Sequence, residues 1–475
     1  MLLIYSLHSL KKYQKTEFLH DFNYWLSIFI YVACYFITYI SIEEIYWLGK
    51  WKNVGISITL DNLELVRYVS LIFGGYIYIM RAKIKFLSNE ILYPLLMTLY
   101  FSIVLMLFSN DVFNFFVSCE LGGVTVYILS TCNFDNKKYI KENSTKSFDL
   151  SKDIDKKIKL GALNYLIYGS IGSGFILLGI GFLILDCHSF VLTELNSDLT
   201  RGLVLLIVGL FVKLNIWPLD FIANKAYSKL DNLTLVLIQG VYFIPFSAFL
   251  YKLNLQNLLL NISDFICIGI FLKIIQDYLK SRNKAINLKE TLINYMVFSN
   301  FIIILATSLS KEKFIYYLIC ESLSKIFIFL ALETTAQSKI LRFSLTYYVL
   351  CVLNSPLTSI FWAKIDILLL NITKQNYYLP VCISLGSFWF GFSIWQLVKY
   401  IIFNEKKSTI EQILDDTSSK QLSPDSLWKI NLIGKSCDLN HNVDNLKGMK
   451  TVTFKIELAI VLIILSLILL QTTYN

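Results

Sequence analysis

Charge is scarce in this chain of 475 residues. Asp, Glu, Lys and Arg make up 16% of it, against roughly 25% in a soluble globular domain. That deficit excludes an ordinary soluble fold. Histidine is rare too. His8, His20, His188 and His441 are the four present, and none lies inside a long apolar run. A cytochrome holding haem between helices needs ligands at membrane depth, so that class is disfavoured. The nine cysteines are scattered without a C-x-x-C pair, which reads as buried free thiols. The length excludes a small disulfide scaffold. Lys11, Lys12 and Lys15 follow a short apolar stretch without a small-residue cleavage site, so no cleavable signal is expected. The sequence shows no glycine-rich phosphate cradle, metal-ligand cluster or catalytic triad. No cofactor, metal or chemical active site is therefore expected within the chain. Glycine and proline are few, at 20 and 6, while Phe and Tyr number 35 and 29. Fold physics does not produce that skew; a gene rich in A and T does, as in many organelle genomes.

What is abundant is apolar length. Apolar residues make up 56% and mean hydropathy is +0.59, so the reading is an all-α polytopic protein in a lipid bilayer. About thirteen transmembrane helices are predicted, near 23–41, 67–80, 91–109, 112–131, 160–185, 201–219, 232–251, 257–276, 290–308, 314–335, 344–372, 378–403 and 453–471. The second is short and can extend toward residue 59. Alternating the loops puts 29 of the 43 basic residues on the side of the N-terminus and 8 on the other. The positive-inside rule then places the N-terminus on the cytoplasm-like side. The +9 charge is a topology signal. It lies between apolar runs and not on one face, so no nucleic-acid partner is expected. Two polar insertions, Asn133–Lys159 and Glu405–Lys450, read as loops or small amphipathic pieces on that same side.

An ionisable residue inside a span is costly and is a functional candidate by default. Glu120 lies in Phe115–Leu121 with no lysine three or four residues away. Lys213 precedes Pro218 by five residues, and the proline should interrupt the helix there. A lysine beside a helix break supplies a titratable group, free backbone polar groups and room for water. The competing reading is a lysine snorkelling to the interface. Lys364 follows Pro356 in a stretch of nearly thirty apolar residues, long enough to break or tilt. Asp366, two residues on, points to another helix face and cannot simply neutralise it. Glu321 and Lys325 have the four-residue spacing of an in-helix ion pair, so mutual neutralisation competes with function there. Asp264 and Lys273 lie nearer the ends of their span and are weaker candidates.

The two proline-and-lysine helices are five spans apart. Two five-helix units, within 91–251 and 257–403, each place such a helix fourth. Five is odd, so the units cross the membrane in opposite senses. Broken helices at matching places in an inverted repeat point to a transport site. Residues 1–90 form an N-terminal group of helices, 132–159 a polar loop within the first repeat, 404–452 a second polar loop and 453–475 a last helix.

These residues resemble NADH dehydrogenase subunit 2, the antiporter-like proton-pumping subunit of respiratory complex I, itself related to cation/proton antiporter subunits. Leu160–Tyr165 through Gly172–Phe175 looks like the family's tyrosine- and glycine-rich sixth helix. Glu120, with Tyr127 seven residues on, matches its fifth-helix glutamate motif. Gly209 through Tyr227 resembles the broken seventh helix, with its lysine at Lys213 and its proline at Pro218. Leu292–Tyr295 through Asn300 resembles the start of a ninth helix, and Ser355 through Lys364 the broken twelfth. The resemblance covers roughly residues 60 to 400, and its order and spacing are more specific than any motif alone. Asp220 stands where the family has a histidine. The eighth-helix lysine should fall at Tyr242 or Phe243, and neither carries a proton as lysine does. Water, Tyr242 or a displaced group such as Lys325 can bridge that gap. The family's first helix has no counterpart in the first 22 residues.

The resemblance implies a membrane-arm subunit that moves protons in response to electron transfer carried out elsewhere. Glu120 and Lys213 would pair across helices, and the proton would pass along a hydrated midplane path to Lys364. NADH, flavin, iron–sulfur clusters and ubiquinone would belong to the whole NADH:ubiquinone reductase. The partners would be other membrane-arm subunits, and the location the mitochondrial inner membrane with the N-terminus on the matrix side. Two other readings remain: a stand-alone cation/proton antiporter, or a structural membrane-arm subunit with an incomplete proton path.

Overall fold

The computed structural model describes residues 16–38, 45–48, 56–84, 92–131, 145–187, 191–192, 201–220, 222–253, 256–283, 288–333, 359–373 and 377–403. In chain order the helices are α1 (Thr16–Ile37), α2 (Leu63–Ile84), α3 (Leu92–Phe108), α4 (Val112–Thr131), α5 (Thr145–Cys187) and α6 (Arg201–Leu214). There follow α7 (Asn232–Lys252), α8 (Gln256–Asn283), α9 (Leu288–Ala306), α10 (Lys311–Glu333), α11 (Ser359–Thr373) and α12 (Tyr378–Phe403). The fold is an all-α bundle with the lengths and apolarity of a polytopic membrane protein. Among the described residues, five helices are long and apolar enough to cross a membrane on length and composition alone. Tyr24–Phe36 and Leu92–Phe108 are apolar but shorter.

Several boundaries differ from the sequence expectation. The stretch 145–159, read as part of a polar loop, is helical and continuous with the apolar span, so α5 has 43 residues. No helix breaker separates its lysines and acids from the apolar run, so the helix has no reason to stop at the membrane edge. The eighth span is also longer than expected, at 28 residues. The second is a full helix of 22 residues and not a short one. The chain is not wholly helical outside its spans. Strands β1 (Ile45–Leu48) and β2 (Ile56–Thr59) pair antiparallel with Ile45 opposite Thr59. Their β-branched and aromatic residues favour that pairing. The break expected at Pro356, the polar segment 404–452 and the last helix near 453–471 lie outside the described residues.

The hairpin is tied to one end of the bundle. Asp111 Oδ1 accepts from the backbone N–H of Asn114 at 2.5 Å, and its Oδ2 accepts from the Ser57 N–H at 3.1 Å. One carboxylate thus caps the first turn of α4 and holds β2. Lys252 donates to the carbonyls of Leu107 and Ser109 at 3.0 and 2.9 Å. It closes the C-terminal end of α3, where orphan carbonyls face a favourable cation.

Burial explains the layering. Every residue in the apolar window of α7 is buried, whereas 39% is buried in the corresponding windows of α5 and α12. Helix α7, apolar all round, is therefore the centre, and α5 and α12 present apolar faces outward. Where helices meet closely, glycine permits it. An added Cβ on Gly209 of α6 would stand 2.6 Å from Ile176 Cγ1 and 2.7 Å from the Gly172 carbonyl, both on α5. On Gly179 of α5 it would stand 2.7 Å from the Gly202 carbonyl of α6. Small residues let two backbones approach in this way. Gly209→Val should therefore separate α5 from α6 and cost about 1–3 kcal/mol. Gly174→Ala, with nothing within 4 Å, should be silent. Thermal unfolding of the solubilised protein distinguishes the two.

Candidate functional site

The site begins where α6 stops. The helix ends at Leu214, four residues before Pro218 and so slightly earlier than the proline alone predicts. Asn215 takes φ 56°, a left-handed conformation that asparagine tolerates better than most residues. Its N–H bonds to the Val212 carbonyl at 3.1 Å, and the Ile216 N–H bonds to the Phe211 carbonyl at 3.0 Å. The Trp217–Pro218 peptide is cis. The chain returns through a π-helical turn, Ala223–Tyr227. Asn300 of α9 donates from Nδ2 to the Leu214 carbonyl, satisfying one of the acceptors that a helix end leaves open.

Lys213 is thereby placed in the last turn of a short helix, with its side chain 7% exposed. Its Nζ lies 3.5 Å from Glu120 Oε1 of α4. Ser173 of α5 donates to the same oxygen. The pair expected across helices is present, and the snorkelling alternative for Lys213 is not what the geometry shows. Glu120 remains 40% exposed on a helix whose Val117, Leu121 and Val124 also face outward.

A cavity of about 10 Å³, room for about one water molecule, adjoins Lys213. Its wall includes Tyr227, Gln239, Tyr242, Phe243 and Asn300. Tyr242 donates its hydroxyl to the Cys119 carbonyl at 2.9 Å, so its phenol is bound to α4 beneath Glu120. Helix α7 carries a π-helical segment, Ile238–Tyr242, a distortion often found at functional sites. Gly240 within it has no side chain to hold α10 away; a Cβ would stand 2.3 Å from Ile326. Ser322 of α10 donates to the Gly240 carbonyl.

That contact brings α10 to the far side of the cavity. Lys325, fully buried, donates to Asn300 Oδ1 at 3.0 Å. Its Nζ stands 4.2 Å from the centre of the Phe243 ring, a cation–π distance. Lys325 thus puts its ammonium beside Phe243, one of the two positions at which the resemblance leads one to expect an eighth-helix lysine. Glu321 Oε1 lies 3.6 Å from Lys325 Nζ, and both side chains are sealed from solvent. Neither Glu321 oxygen has a hydrogen-bond partner among the described residues. The expected in-helix ion pair is present, and Lys325 also donates to Asn300 in the cavity wall. Lys364 of α11 is buried, with its Nζ 5.9 Å from the Tyr295 ring centre.

Other candidates fall elsewhere. Asp366 pairs with Lys313 at 2.8 Å near the surface, away from Lys364, as its helix position requires. Asp220 pairs with Lys273 at 2.6 Å, with side chains 7% and 1% exposed. Lys273 was expected near a span end and is instead at depth, because α8 runs on to Asn283. Its partner is 53 residues away in sequence, a separation that no helical spacing reveals. Asn300 and Gln239 carry no charge and so gave no signal of cost in an apolar run. No group of three or more His, Cys, Asp or Glu side chains that can hold a metal occurs among the described residues.

No protein-family model matches the chain. A curated relative, NADH-quinone oxidoreductase subunit N of Pelagibacter ubique (strain HTCC1062), is 24% identical over 395 residues, covering 74% of this chain and 78% of that protein. Solved structures share the fold. A chain of the membrane-bound sulfane sulfur reductase, an archaeal respiratory membrane complex, superposes with a TM-score of 0.66 at 17% identity, over 97% of this chain and 95% of its own. A chain of the Mrp complex from Dietzia sp. DQ12-45-1b gives 0.68 at 15% identity, over 85% and 78%. One from respiratory complex I of Thermus thermophilus gives 0.61 at 13%, over 82% and 86%.

The geometry generates a stability test. Glu321→Leu should leave Lys325 buried without its carboxylate and cost about 3–5 kcal/mol. Glu321→Leu combined with Lys325→Leu should recover most of that loss, as read by thermal unfolding of the solubilised protein. The chain is thus similar in sequence to an NADH-quinone oxidoreductase subunit N and shares its fold with membrane chains of respiratory and Mrp complexes.

Proposed function

We propose that this chain translocates protons in a complex I-type NADH:quinone oxidoreductase whose redox chemistry other subunits perform. The observation that carries the proposal is one line of polar groups through an apolar bundle. It runs from Glu120 and Lys213, across a cavity walled by Gln239, Tyr242 and Asn300, to Lys325 with Glu321, and on toward Lys364. Charge this deep is expensive, and an apolar bundle of this size has no packing need for it. The relative named as an NADH-quinone oxidoreductase subunit supports the assignment to such a complex.

In the proposed cycle, Glu120 holds the Lys213 ammonium while the two are close. Redox-driven movement that separates them removes the opposite charge, and Lys213 releases its proton to water in the cavity. Lys325, hydrogen-bonded to Asn300 in the cavity wall, first passes its own proton toward Lys364 and then receives the one released by Lys213. Lys325 occupies the role left open by Tyr242 and Phe243, with Glu321 balancing its charge. Lys364 then exchanges the proton with the far side. Pro218 beside Lys213, and Pro356 before Lys364, would mark matching breaks of an inverted repeat. The half-exposed Glu120 on an otherwise apolar outer face favours a neighbouring membrane-arm subunit there, because lipid would leave that carboxylate poorly solvated.

The composition, rich in Phe and Tyr, favours a mitochondrial inner-membrane location, with the N-terminus on the matrix side. On this reading NADH, flavin, iron–sulfur clusters and ubiquinone belong to partner subunits. A stand-alone antiporter would exchange cations for protons in liposomes without partners. A structural subunit would tolerate Lys364→Ala without loss of pumping. Lys213→Ala and Glu120→Gln should each lower NADH-driven proton pumping by about a hundredfold, within the range of a lost proton-transfer group. Pumping measured per assembled complex in membrane vesicles decides it, and wild-type rates in both variants would refute the proposal.

A further inference from the structure

A second column of buried polar groups lies apart from the Glu120–Lys364 line. Helix α8 supplies Lys273 and Asp277, one turn apart on one face. Gly269, one turn earlier, explains why that face reaches the α6 break. A Cβ there would stand 2.9 Å from the Phe301 ring and 3.6 Å from the Trp217 indole. Lys273 Nζ lies 2.6 Å from Asp220 Oδ2 and 3.4 Å from Gln276 Oε1. Asp277, also buried, accepts from Asn294 Nδ2 at 2.7 Å and from Trp389 Nε1 at 3.1 Å.

The column has a direction. Helix α8 ends at Asn283 and α9 begins at Leu288, so both meet the same end of the bundle. At 1.5 Å per residue, Asp277 lies about 9 Å and Lys273 about 15 Å from that end, and Asn300 lies about 18 Å from the start of α9. The groups therefore run inward in the order Asp277, then Lys273 with Asp220, then Asn300 with Lys325. Asp220 belongs to the short segment between Leu214 and Ile222, and both of those residues wall the Lys213 cavity. A column that served only to fasten α8 to the break has cheaper solutions, since apolar pairs of equal volume often stabilise as well as a buried ion pair or better. Asp277 adds a second buried carboxylate held by two neutral donors.

We infer that Asp277, Lys273 and Asp220 form a proton-access branch that joins the Asn283–Leu288 end of the bundle to the Lys213–Lys325 cavity. The proton balance is closed. Lys273 passes its proton to Asp220, leaving a neutral pair. Asp220 releases that proton toward the cavity. Asp277, protonated from water at the end of the bundle, restores the proton to Lys273 and is itself recharged from water. One proton enters for each that leaves. The inference rests on the proton-translocating reading above and names its supply route.

The test removes both charges of the pair together, with Asp220→Leu and Lys273→Met in one variant, and uses Lys213→Ala as reference. Both are measured in the assembled complex as NADH-driven pumping per complex. The inference predicts that the double variant assembles and pumps about a hundredfold less than wild type. Wild-type pumping in the double variant beside an inactive Lys213→Ala overturns the branch and leaves the translocating reading standing. Wild-type pumping in Lys213→Ala overturns that reading, and the branch with it. If the double variant fails to assemble, Asp277→Asn and Asp277→Glu decide. Asn keeps an acceptor for Asn294 but cannot carry the proton, whereas Glu can. Loss in Asn with retention in Glu supports the branch, and equal pumping in both overturns it.

Discussion

A charge inside an apolar bundle needs an opposite charge or a dipole within a few ångströms, and that requirement shapes the middle of this protein. Lys213 is met by Glu120, Lys325 by Glu321, and Lys273 by Asp220. Of these pairs, one joins α6 to α4 and another joins α8 to the segment that follows the α6 break, so the placement of α4 and α8 around that break depends on them. The break itself is built so that the pairs can form. Asn215 turns the chain in a left-handed conformation, and Asn300 satisfies the carbonyl at the helix end. Had α6 continued straight, Asp220 would lie two turns further along it and could not fold back toward α8.

Close packing carries the charges to one another. Gly209 and Gly179 let α5 and α6 touch, Gly240 lets α10 reach the π-helical segment of α7, and Gly269 lets α8 reach Trp217 and Phe301. In a chain with only 20 glycines, these stand at the contacts that bring charged helices together. The aromatic excess fills the space between. Phe115 stacks on Phe249 with ring centres 3.7 Å apart, and Tyr31 meets Tyr100 edge-on at 4.6 Å. A rigid apolar frame around a few paired charges is an arrangement in which small relative shifts of helices alter proton affinity without unfolding anything.

The legible part of this structure follows from one-dimensional signals. Glu120 stands out because no lysine lies three or four residues away in its own span, and Lys213 because Pro218 follows it five residues on. Glu321 and Lys325 are visible as an in-helix pair from their spacing. Asp366 was separable from Lys364 by the same helical geometry, and it does find a different partner, Lys313. What escaped were features set by tertiary neighbours. Lys273 lies near the end of the span that hydropathy predicts, yet α8 extends far enough to bury it. Asp220 gave no sign of its partner 53 residues away. Asn300 and Gln239 are uncharged, so their cost in an apolar run is too small to mark them. The helical continuation at 145–159 was hidden by its charge, which describes solvent exposure and says little about backbone conformation. The β1–β2 hairpin lay in a connection too short for any periodicity to emerge.

On the proposed reading the ammonium of Lys325, and not only that of Lys213, carries protons through the middle of the bundle. The most direct measurement is the number of protons moved per NADH oxidised by the complex carrying Leu at both 321 and 325. That replacement removes the two charges together and spares the fold the burden of an unpaired one. The account predicts an assembled complex that oxidises NADH but moves fewer protons per NADH than wild type. An unchanged ratio would contradict it.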